Sequence, residues 1–255
     1  MNRISMVEDL LKDSFKILNG FPYYIAIEEN ESTHYDHGNW LDEIRTLIDF
    51  AIQSELNRVS ALINRSSEHY LYLSKMLISL GFEQYASKIE VFRDLHDINS
   101  NVKGYEWRSL SDSTISEEEF KNLWKDCMSG SENSVSSLTI DEHLSSVQSE
   151  LGEKWRKSCK AIYLEGRPIG VSMPHIEPGT VDEGRLFYFG LIPEERGKGQ
   201  SAIIHYQSMY LLKLMGATYY IGSTHETNKK MQKVFSRNGC SIRARMESYY
   251  KYLDS

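Results

Sequence analysis

The residues with the clearest chemical potential form a glycine-rich loop, PEERGKGQS, at 193–201. It follows a compact apolar run, LFYFGLI, which is typical of a buried strand. Apolar residues at helical spacing then predict a helix over 202–215. In this strand–loop–helix context, the exposed N–H groups of the loop and the positive end of the helix dipole meet at one point. Such a point favours a phosphate group.

The side chains of the loop agree with that chemistry. Gly197 and Gly199 allow a ligand to approach the main chain closely, and Arg196 and Lys198 add positive charge. The alternative is a strand-to-helix turn that needs glycine for its shape and carries two solvated cations. The loop by itself does not separate these interpretations, because short motifs also occur by chance.

A second pattern follows in the order that the first requires. Residues 217–224 are apolar and rich in β-formers, and 226–238 has the character of a helix. Ser223 and Glu226 have the spacing of a capping box, and Gly239 stands where the helix should end.

Together the two patterns resemble the GNAT superfamily of acetyl-CoA-dependent N-acetyltransferases. The cofactor loop of that family, Arg/Gln-x-x-Gly-x-Gly/Ala after an apolar-x-Pro strand end, is matched by Leu191, Ile192, Pro193, Arg196, Gly199 and Ser201. Its next signature, Asn, then an aromatic residue and then Gly, is matched by Asn228, Phe235 and Gly239. The resemblance is specific over 158–253 and schematic over 105–157.

The resemblance implies an α/β (α+β) GNAT fold, a mixed and mostly antiparallel central sheet flanked by helices. It also implies transfer of an acetyl group from acetyl-CoA to an amine. Pantetheine would pair with the strand end, whose N–H groups could polarise the thioester, and the pyrophosphate would bind the loop. The implied cofactor-binding residues are Leu191, Ile192, Arg196, Gly197, Lys198, Gly199, Gln200, Ser201, Asn228 and Phe235, with no metal.

Catalysis needs a base for the amine and a proton or hydrogen bond for the leaving thiolate. Many family members have at the position of Phe235 a Tyr that protonates the thiolate, and Phe has no proton to give. The role could pass to water or to a nearby Tyr. For the base, the sequence offers four candidates near the right strand ends and does not rank them: Tyr188, His175, Glu183 and His225.

The leading function is therefore an acyltransferase acting on an amine of a small molecule or a peptide. The alternative is a non-catalytic acyl-CoA-binding or interaction protein that keeps the loop, and Phe235 favours this alternative. The sequence identifies neither the acceptor nor other acyl-CoAs, and it leaves the oligomeric state open, with a monomer of two packed halves as one possibility.

Both halves of the chain share an order of elements at a shift of 158 positions, which places Gly81 on Gly239. The N-terminal half is therefore predicted to be a degenerate GNAT-like unit in tandem with the C-terminal one, with domains at 1–100 and 105–255. At this shift, 196–199 aligns with 38–41, and that segment has neither the two glycines nor the two cations of the loop. The first half is predicted to contain helices over 4–18, 40–56 and 67–80 and strands over 21–27 and 58–64.

Composition limits the partners and the compartment. The formal charge of −7 argues against nucleic acid. No apolar stretch predicts a membrane segment, and three unpaired cysteines are typical of a reducing cytoplasm. His34 and His37 have no third metal ligand placed by a motif, so a surface loop is expected there.

Overall fold

The computed structural model describes residues 3–30, 39–99, 104–132 and 138–253. Most of the predicted domain boundary at 99–104, together with His34 and His37, lies outside these ranges. The helices are α1 Arg3–Leu11, α2 Trp40–Gln53, α3 Tyr70–Ser79, α4 Glu117–Met128, α5 Ile140–Leu151, α6 Trp155–Ser158, α7 Gln200–Leu214 and α8 Lys229–Arg237. The strands are β1 Phe15–Gly20, β2 Tyr24–Glu29, β3 Arg58–Asn64, β4 Glu83–Asp94, β5 Glu106–Ser109, β6 Lys160–Leu164, β7 Arg167–Ile176, β8 Glu183–Leu191, β9 Tyr219–His225 and β10 Ser241–Tyr252.

The chain forms two compact units. Unit 1 contains Met1–Lys88 and Ala244–Ser255, and unit 2 contains Ile89–Arg243. The units are defined by which residues pack together, so their boundaries differ from those of the predicted domains 1–100 and 105–255. That predicted division along the sequence stays a prediction.

Unit 1 has the strand order β1-β2-β3-β10. β1 and β2 are antiparallel, β2 and β3 are parallel, and β10 runs antiparallel to β3 from Met246 opposite Asn64 to Tyr252 opposite Arg58. Its core gathers apolar side chains from the helices and the sheet, including Trp40, Ile63 and Tyr249. The last of these comes from β10, so the segment at 244–252 contributes directly to this core.

Unit 2 has the strand order β4-β9-β8-β7-β6-β5, in which β8 and β9 are parallel and the β5–β8 neighbours are antiparallel. Helices cover both faces. Val171 and Met173 of β7 pack in one cluster with α4 and α5, whereas Ser172 between them lies 2.9 Å from Ser208 of α7. Because successive side chains on a strand point to opposite faces, α7 lies on the other side from α4.

The order β1-β2-α2-β3-α3-β4 recurs as β7-β8-α7-β9-α8-β10. β4 and β10 both have 12 residues, and they begin at Glu83 and Ser241, which are 158 positions apart. The repeat has one irregularity: residues 89–94 of β4 belong to unit 2, and residues 244–252 of β10 belong to unit 1. The final strand of each repeat therefore completes, in part, the unit built on the other repeat.

Ser-x-x-Glu at 116–119 and Thr-x-x-Glu at 139–142 have the spacing that predicts capping boxes, and the structure confirms both helix starts. Ser116 with Glu119 caps α4, and Thr139 with Glu142 caps α5, with both reciprocal hydrogen bonds present. The predicted helix over 4–18 is wrong beyond Leu11, because Phe15–Gly20 forms β1 and pairs along its length with β2. Strand pairing overrides a helical spacing of apolar residues there.

Candidate functional site

The principal feature of unit 2 is a gap between two parallel strands. β8 and β9 are paired only at Glu183 opposite Tyr219 and at Gly184 opposite Tyr220. Residues 185–191 of β8 and 221–225 of β9 continue without pairing to each other. The two strands do not hydrogen-bond to each other across the gap, which makes it a natural place for an extended polar chain.

A β-bulge lies in β8 close to the closed end of this gap. On β7, Ser172 is opposite Phe189 and Pro174 is opposite Leu186, so Met173 faces the two residues Phe187 and Tyr188. A bulge leaves one residue out of the ladder and re-aims its neighbours, and it often occurs next to active sites. Both Phe187 and Tyr188 pack in the cluster beneath α4 and α5.

The glycine loop follows the open end of β8. Gly197 and Gly199 have φ of 76° and 79°, in the left-handed region, and a Cβ at either would have no heavy atom within 4 Å. Gly199 precedes α7 and caps it with no side chain, so the first amides of the helix keep their N–H groups unsatisfied within the helix. The loop therefore has the open space and the N–H donors that bind phosphate.

Arg196 has a different role from the one its charge predicts. Its guanidinium donates to the carbonyl oxygens of Leu191 at 2.9 Å, Gly130 at 3.0 Å and Cys127 at 2.9 Å. It ties the loop to the last turn of α4 and to the end of β8. The side chain therefore shapes the loop, and its charge is shared by three carbonyl groups.

Lys198 and Gln200 are both held by Glu195. The ammonium of Lys198 lies 3.1 Å from the Glu195 carboxylate, and Gln200 Nε2 donates to the same oxygen at 3.1 Å. These contacts, with Lys198 first, hold the pKa of Glu195 below its usual range. Because one cation is neutralised by a carboxylate, the backbone N–H groups are the principal attraction for an anion here.

The backbone at the end of β8 has fewer unengaged hydrogen-bonding groups than the resemblance implies. Ile192 N donates to Ile169 O at 3.0 Å, and Leu191 O accepts from Arg196 Nε. The Ile192 N–H is therefore already engaged. The residue left out of the ladder at the bulge of Phe187 and Tyr188 is the better source of a donor for a thioester oxygen.

Asn228 begins α8. Its side-chain oxygen accepts from Met231 N at 2.9 Å, and the side chain is buried. The capping box predicted from Ser223 and Glu226 is wrong, because α8 starts three residues later and Asn228 caps it. An Asn at this point satisfies the free amides of the first turn, which Ser223 is too distant to do.

Phe235 is a core residue. It is 2% exposed, its ring lies 5.4 Å from the imidazole of His205, and it also contacts Tyr220 at 6.5 Å. Ser201, the small residue in the place of the family's Gly or Ala, lies in the first turn of α7 and is half-buried.

Two of the four candidate bases lie in one charged cluster. His175 Nε2 is 3.3 Å from Glu177 Oε2, Arg185 Nε is 3.6 Å from that same oxygen, and Arg185 also donates to Glu183 at 2.5 Å. Tyr219 donates to Glu183 at 3.2 Å. His175, Glu177 and Glu183 are buried, whereas Arg185 and Tyr219 are half-buried. The cluster lies at the closed end of the gap, on β8, on β9 and at the end of β7.

The other two candidates lie apart. The ring of Tyr188 packs 5.6 Å from that of Trp124 on α4, and burial raises its pKa further above the ordinary tyrosine range. His225 ends β9, six positions after Tyr219, which is about 20 Å along the strand at 3.3 Å per residue. The structure therefore does not bring the four candidates into one site.

Unit 1 lacks the gap. β2 and β3 stay paired over five positions, from Tyr24 opposite Arg58 to Glu28 opposite Leu62. Where unit 2 has its glycine loop, α2 begins with Trp40, which is 2% exposed and packs against Phe15. This place is filled by an apolar side chain.

Several residues at the site carry no motif. Glu177 and Arg185 are missed because each is a lone charged residue, one directly after β7 and the other within β8, although their spacing of two from His175 and Glu183 places them on the same faces. His205 and Tyr220 are missed because each falls within an apolar pattern. Among the described residues, no group of three or more His, Cys, Asp or Glu could hold a metal ion, and no helix is long and apolar enough to cross a membrane.

Comparison with known proteins gives a clear fold and little sequence similarity. No family model matches the chain, and no curated protein matches it in sequence. A GCN5-related N-acetyltransferase from Sphaerobacter thermophilus is similar with a TM-score of 0.63 and 14% identity, over 93% of this chain and 76% of that one.

Two further solved structures extend this result. A GCN5-related N-acetyltransferase from Kribbella flavida has a TM-score of 0.60 and 12% identity over 97% of this chain and 94% of that one. A tandem GNAT protein from the clavulanic acid biosynthesis pathway has a TM-score of 0.57 and 11% identity over 91% and 76%. The chain therefore has the GNAT fold, a mixed and mostly antiparallel sheet flanked by helices, and the predicted fold class is confirmed.

Proposed function

We propose that this protein is an acyl-CoA-dependent N-acetyltransferase that moves an acetyl group from acetyl-CoA to an amine of a small molecule or a peptide. The observation that carries the proposal is the separation of β8 from β9 directly beyond Gly184 and Tyr220. An extended pantetheine chain matches the unpaired backbone of such a gap, and the N–H groups around Gly199 suit its pyrophosphate.

The thioester would then lie near the closed end of the gap, because the loop is at its open end. The bulge at Phe187 and Tyr188 is at this level of β8. A backbone N–H released from the ladder there would stabilise the oxyanion that forms as the amine attacks the carbonyl carbon.

Of the four candidate bases, His175 has the best-supported position. It is two residues from Met173, which faces the bulge, so both side chains point to the same face, and its ring is 6.5 Å from that of Phe187. Its ring nitrogens face Glu177 Oε2 at 3.3 Å and Met173 O at 3.4 Å. These two oxygens fix the orientation of the imidazole ring.

The experiment is an acceptor screen with acetyl-CoA that measures the release of free thiol. The panel contains a polyamine, an aminoglycoside, an amino sugar and a peptide with a free N-terminus. We expect thiol release with at least one acceptor and none with Gly199→Val. An absence of release across the panel, with acetyl-CoA bound, would contradict transferase activity.

The second candidate function is a non-catalytic acyl-CoA-binding protein. Phe235 favours it, because this buried ring has no proton for the departing thiolate. The same screen separates the two functions, since a binding protein takes up acetyl-CoA in calorimetry and releases no thiol with any acceptor.

A further inference from the structure

An imidazole lies beneath the gap and joins its two sides. His205 of α7 is fully buried, and its ring contacts Phe189 of β8 at 5.5 Å and Tyr220 of β9 at 5.3 Å. Phe235 of α8 packs on it at 5.4 Å. All three contacts are edge-on, with interplanar angles between 65° and 81°. The floor of the gap is thus one histidine surrounded by aromatic rings from three elements.

The hydrogen bonds around His205 fix which ring nitrogen carries the proton. Asn238 Nδ2 donates to Ala202 O at 2.9 Å, so this atom is the amide nitrogen and must also donate to His205 Nδ1, 2.9 Å away. Burial lowers the pKa of His205 to about 3, so the ring is neutral near pH 7. The single ring proton is therefore on Nε2, which donates to Tyr220 Oη at 3.2 Å.

This arrangement leaves the hydroxyl proton of Tyr220 without an acceptor. The oxygen already accepts from His205, and no acceptor for the O–H lies within hydrogen-bond distance in the part of the chain that the structure describes. Tyr220 is only 2% exposed. A buried donor without an acceptor is costly, so such a group indicates a place where a ligand supplies the acceptor.

The hydroxyl lies at the point where the strands separate. Tyr220 is the last residue of β9 that pairs with β8, and its ring extends along the strand over Gly222. A Cβ at Gly222 would lie within van der Waals overlap of the Tyr220 hydroxyl, so glycine is needed for this position of the ring. The O–H is thus on the part of β9 that has left β8.

We propose that the Tyr220 hydroxyl donates a hydrogen bond to the sulfur atom of the acyl-CoA, the function for which Phe235 has no group. This proposal rests on the proposed transferase function. His205, fixed by Asn238, is the positioning residue that orients the Tyr220 oxygen.

The step balances without a further reagent. The amine nitrogen forms a bond with the carbonyl carbon, the C–S bond breaks, and its electron pair stays on sulfur as a thiolate that accepts the Tyr220 hydrogen bond. The amine proton passes to the base, and the thiolate takes a proton from water on release. Tyr220 keeps its own proton, because burial, with Cys240 adding to it and Arg185 opposing it, raises its pKa well above that of a thiol.

The first test is Tyr220→Phe, which keeps the ring and removes the hydroxyl. We expect kcat to fall by about 10- to 100-fold with the KM for acetyl-CoA little changed, because the hydrogen bond strengthens only as charge develops on sulfur. Tyr210→Phe on α7 is the matched control and should keep wild-type kcat. Gly222→Ala, which displaces the hydroxyl without removing it, should reproduce the loss.

The second test needs no turnover and uses CoA itself as the probe. The ultraviolet absorbance of the thiolate is followed against pH for CoA bound to each variant. We expect the pKa of the bound thiol to be about one unit higher in Tyr220→Phe than in wild type, since the hydrogen bond favours the thiolate. Tyr210→Phe should leave it unchanged.

A Tyr220→Phe variant with wild-type kcat and an unshifted thiol pKa would overturn the assignment. A wild-type chain that binds acetyl-CoA but releases no thiol would count against transferase function instead, and the thiol titration would still decide whether Tyr220 faces the sulfur. If Tyr220→Phe does not fold, Gly222→Ala with an unshifted thiol pKa would be decisive against the proposal.

Discussion

Gly184 and Tyr220 are the last two residues at which β8 and β9 lie side by side, and the strands separate directly beyond them. A Cβ at Gly184 would lie 2.9 Å from that of Ala217 and 3.1 Å from Tyr219 O, so this position admits only glycine. The closed end of the gap is therefore fixed by tight packing, and its position determines where an extended ligand can end.

Gly199→Val should abolish acetyl-CoA binding. Gly199 has φ of 79°, which a β-branched residue rarely adopts, and the resulting shift would re-aim the first amides of α7. Gly166→Val is the matched control: it has φ of 76° with no heavy atom within 4 Å of a Cβ, but it lies in the hairpin between β6 and β7. Calorimetry should show acetyl-CoA binding to Gly166→Val and none to Gly199→Val. An unchanged affinity of Gly199→Val for acetyl-CoA would place the site elsewhere.

Titration with CoA should give one molecule per chain. The described residues of unit 1 offer no second site, because β2 and β3 remain paired over five positions and Trp40 fills the counterpart of the glycine loop. Isothermal calorimetry measures the stoichiometry, and Gly199→Val should remove the single event. Two CoA molecules per chain would show that unit 1 also binds.

Phe235→Tyr should destabilise the protein without raising its turnover many-fold. The ring is 2% exposed among apolar side chains, and a buried hydroxyl without a partner costs about 1–3 kcal/mol. Phe92→Tyr is the control, since that ring is 37% exposed on β4 and a hydroxyl there can reach water. Denaturant unfolding and kcat are the measurements, and a many-fold gain in kcat would mean that the native site lacks a proton donor.

His205 should make stability depend on pH below neutrality. Burial lowers its folded pKa to about 3, so its contribution is fully present above the unfolded pKa of about 6.5 and is lost as pH falls towards 3. Between about pH 7.5 and about pH 5, wild type should therefore lose about 2 kcal/mol of unfolding free energy from this group.

His205→Gln, compared with wild type by denaturant unfolding at these two pH values, should lack that loss. His96→Gln should retain it, because the His96 side chain is 80% exposed and lies beside Asp94 at the surface. An equal pH dependence in wild type and His205→Gln would mean that His205 is accessible to protons in the folded state.

The sequence predicts the fold and the loop better than it predicts the chemistry around them. The glycines at 197 and 199 and the capping residues Ser116 and Thr139 act through local backbone geometry, which residue type and spacing reveal. The gap, by contrast, depends on where two strands stop pairing, and no local pattern marks that point.

The sequence also does not predict which groups the charged and titratable side chains contact in the folded protein. The sequence predicts that Arg196 attracts an anion, but its guanidinium is held by the carbonyls of Cys127, in α4, and of Gly130, just after that helix, nearly 70 positions earlier. Likewise, the pairing of His175 with Glu177 and of His205 with Tyr220 depends on packing between elements.

The membership of β10 in unit 1 has a consequence for synthesis of the chain. A ribosome produces residues 3–88 before unit 2, and these contain α1–α3, the strands β1–β3 and the first part of β4, but not the partner that covers β3 from Asn64 to Arg58. That partner, with the core residue Tyr249, follows only after all of unit 2 has been made. The half of the protein that is translated first is therefore the half that can complete its fold last, and its open strand edge needs protection in the meantime.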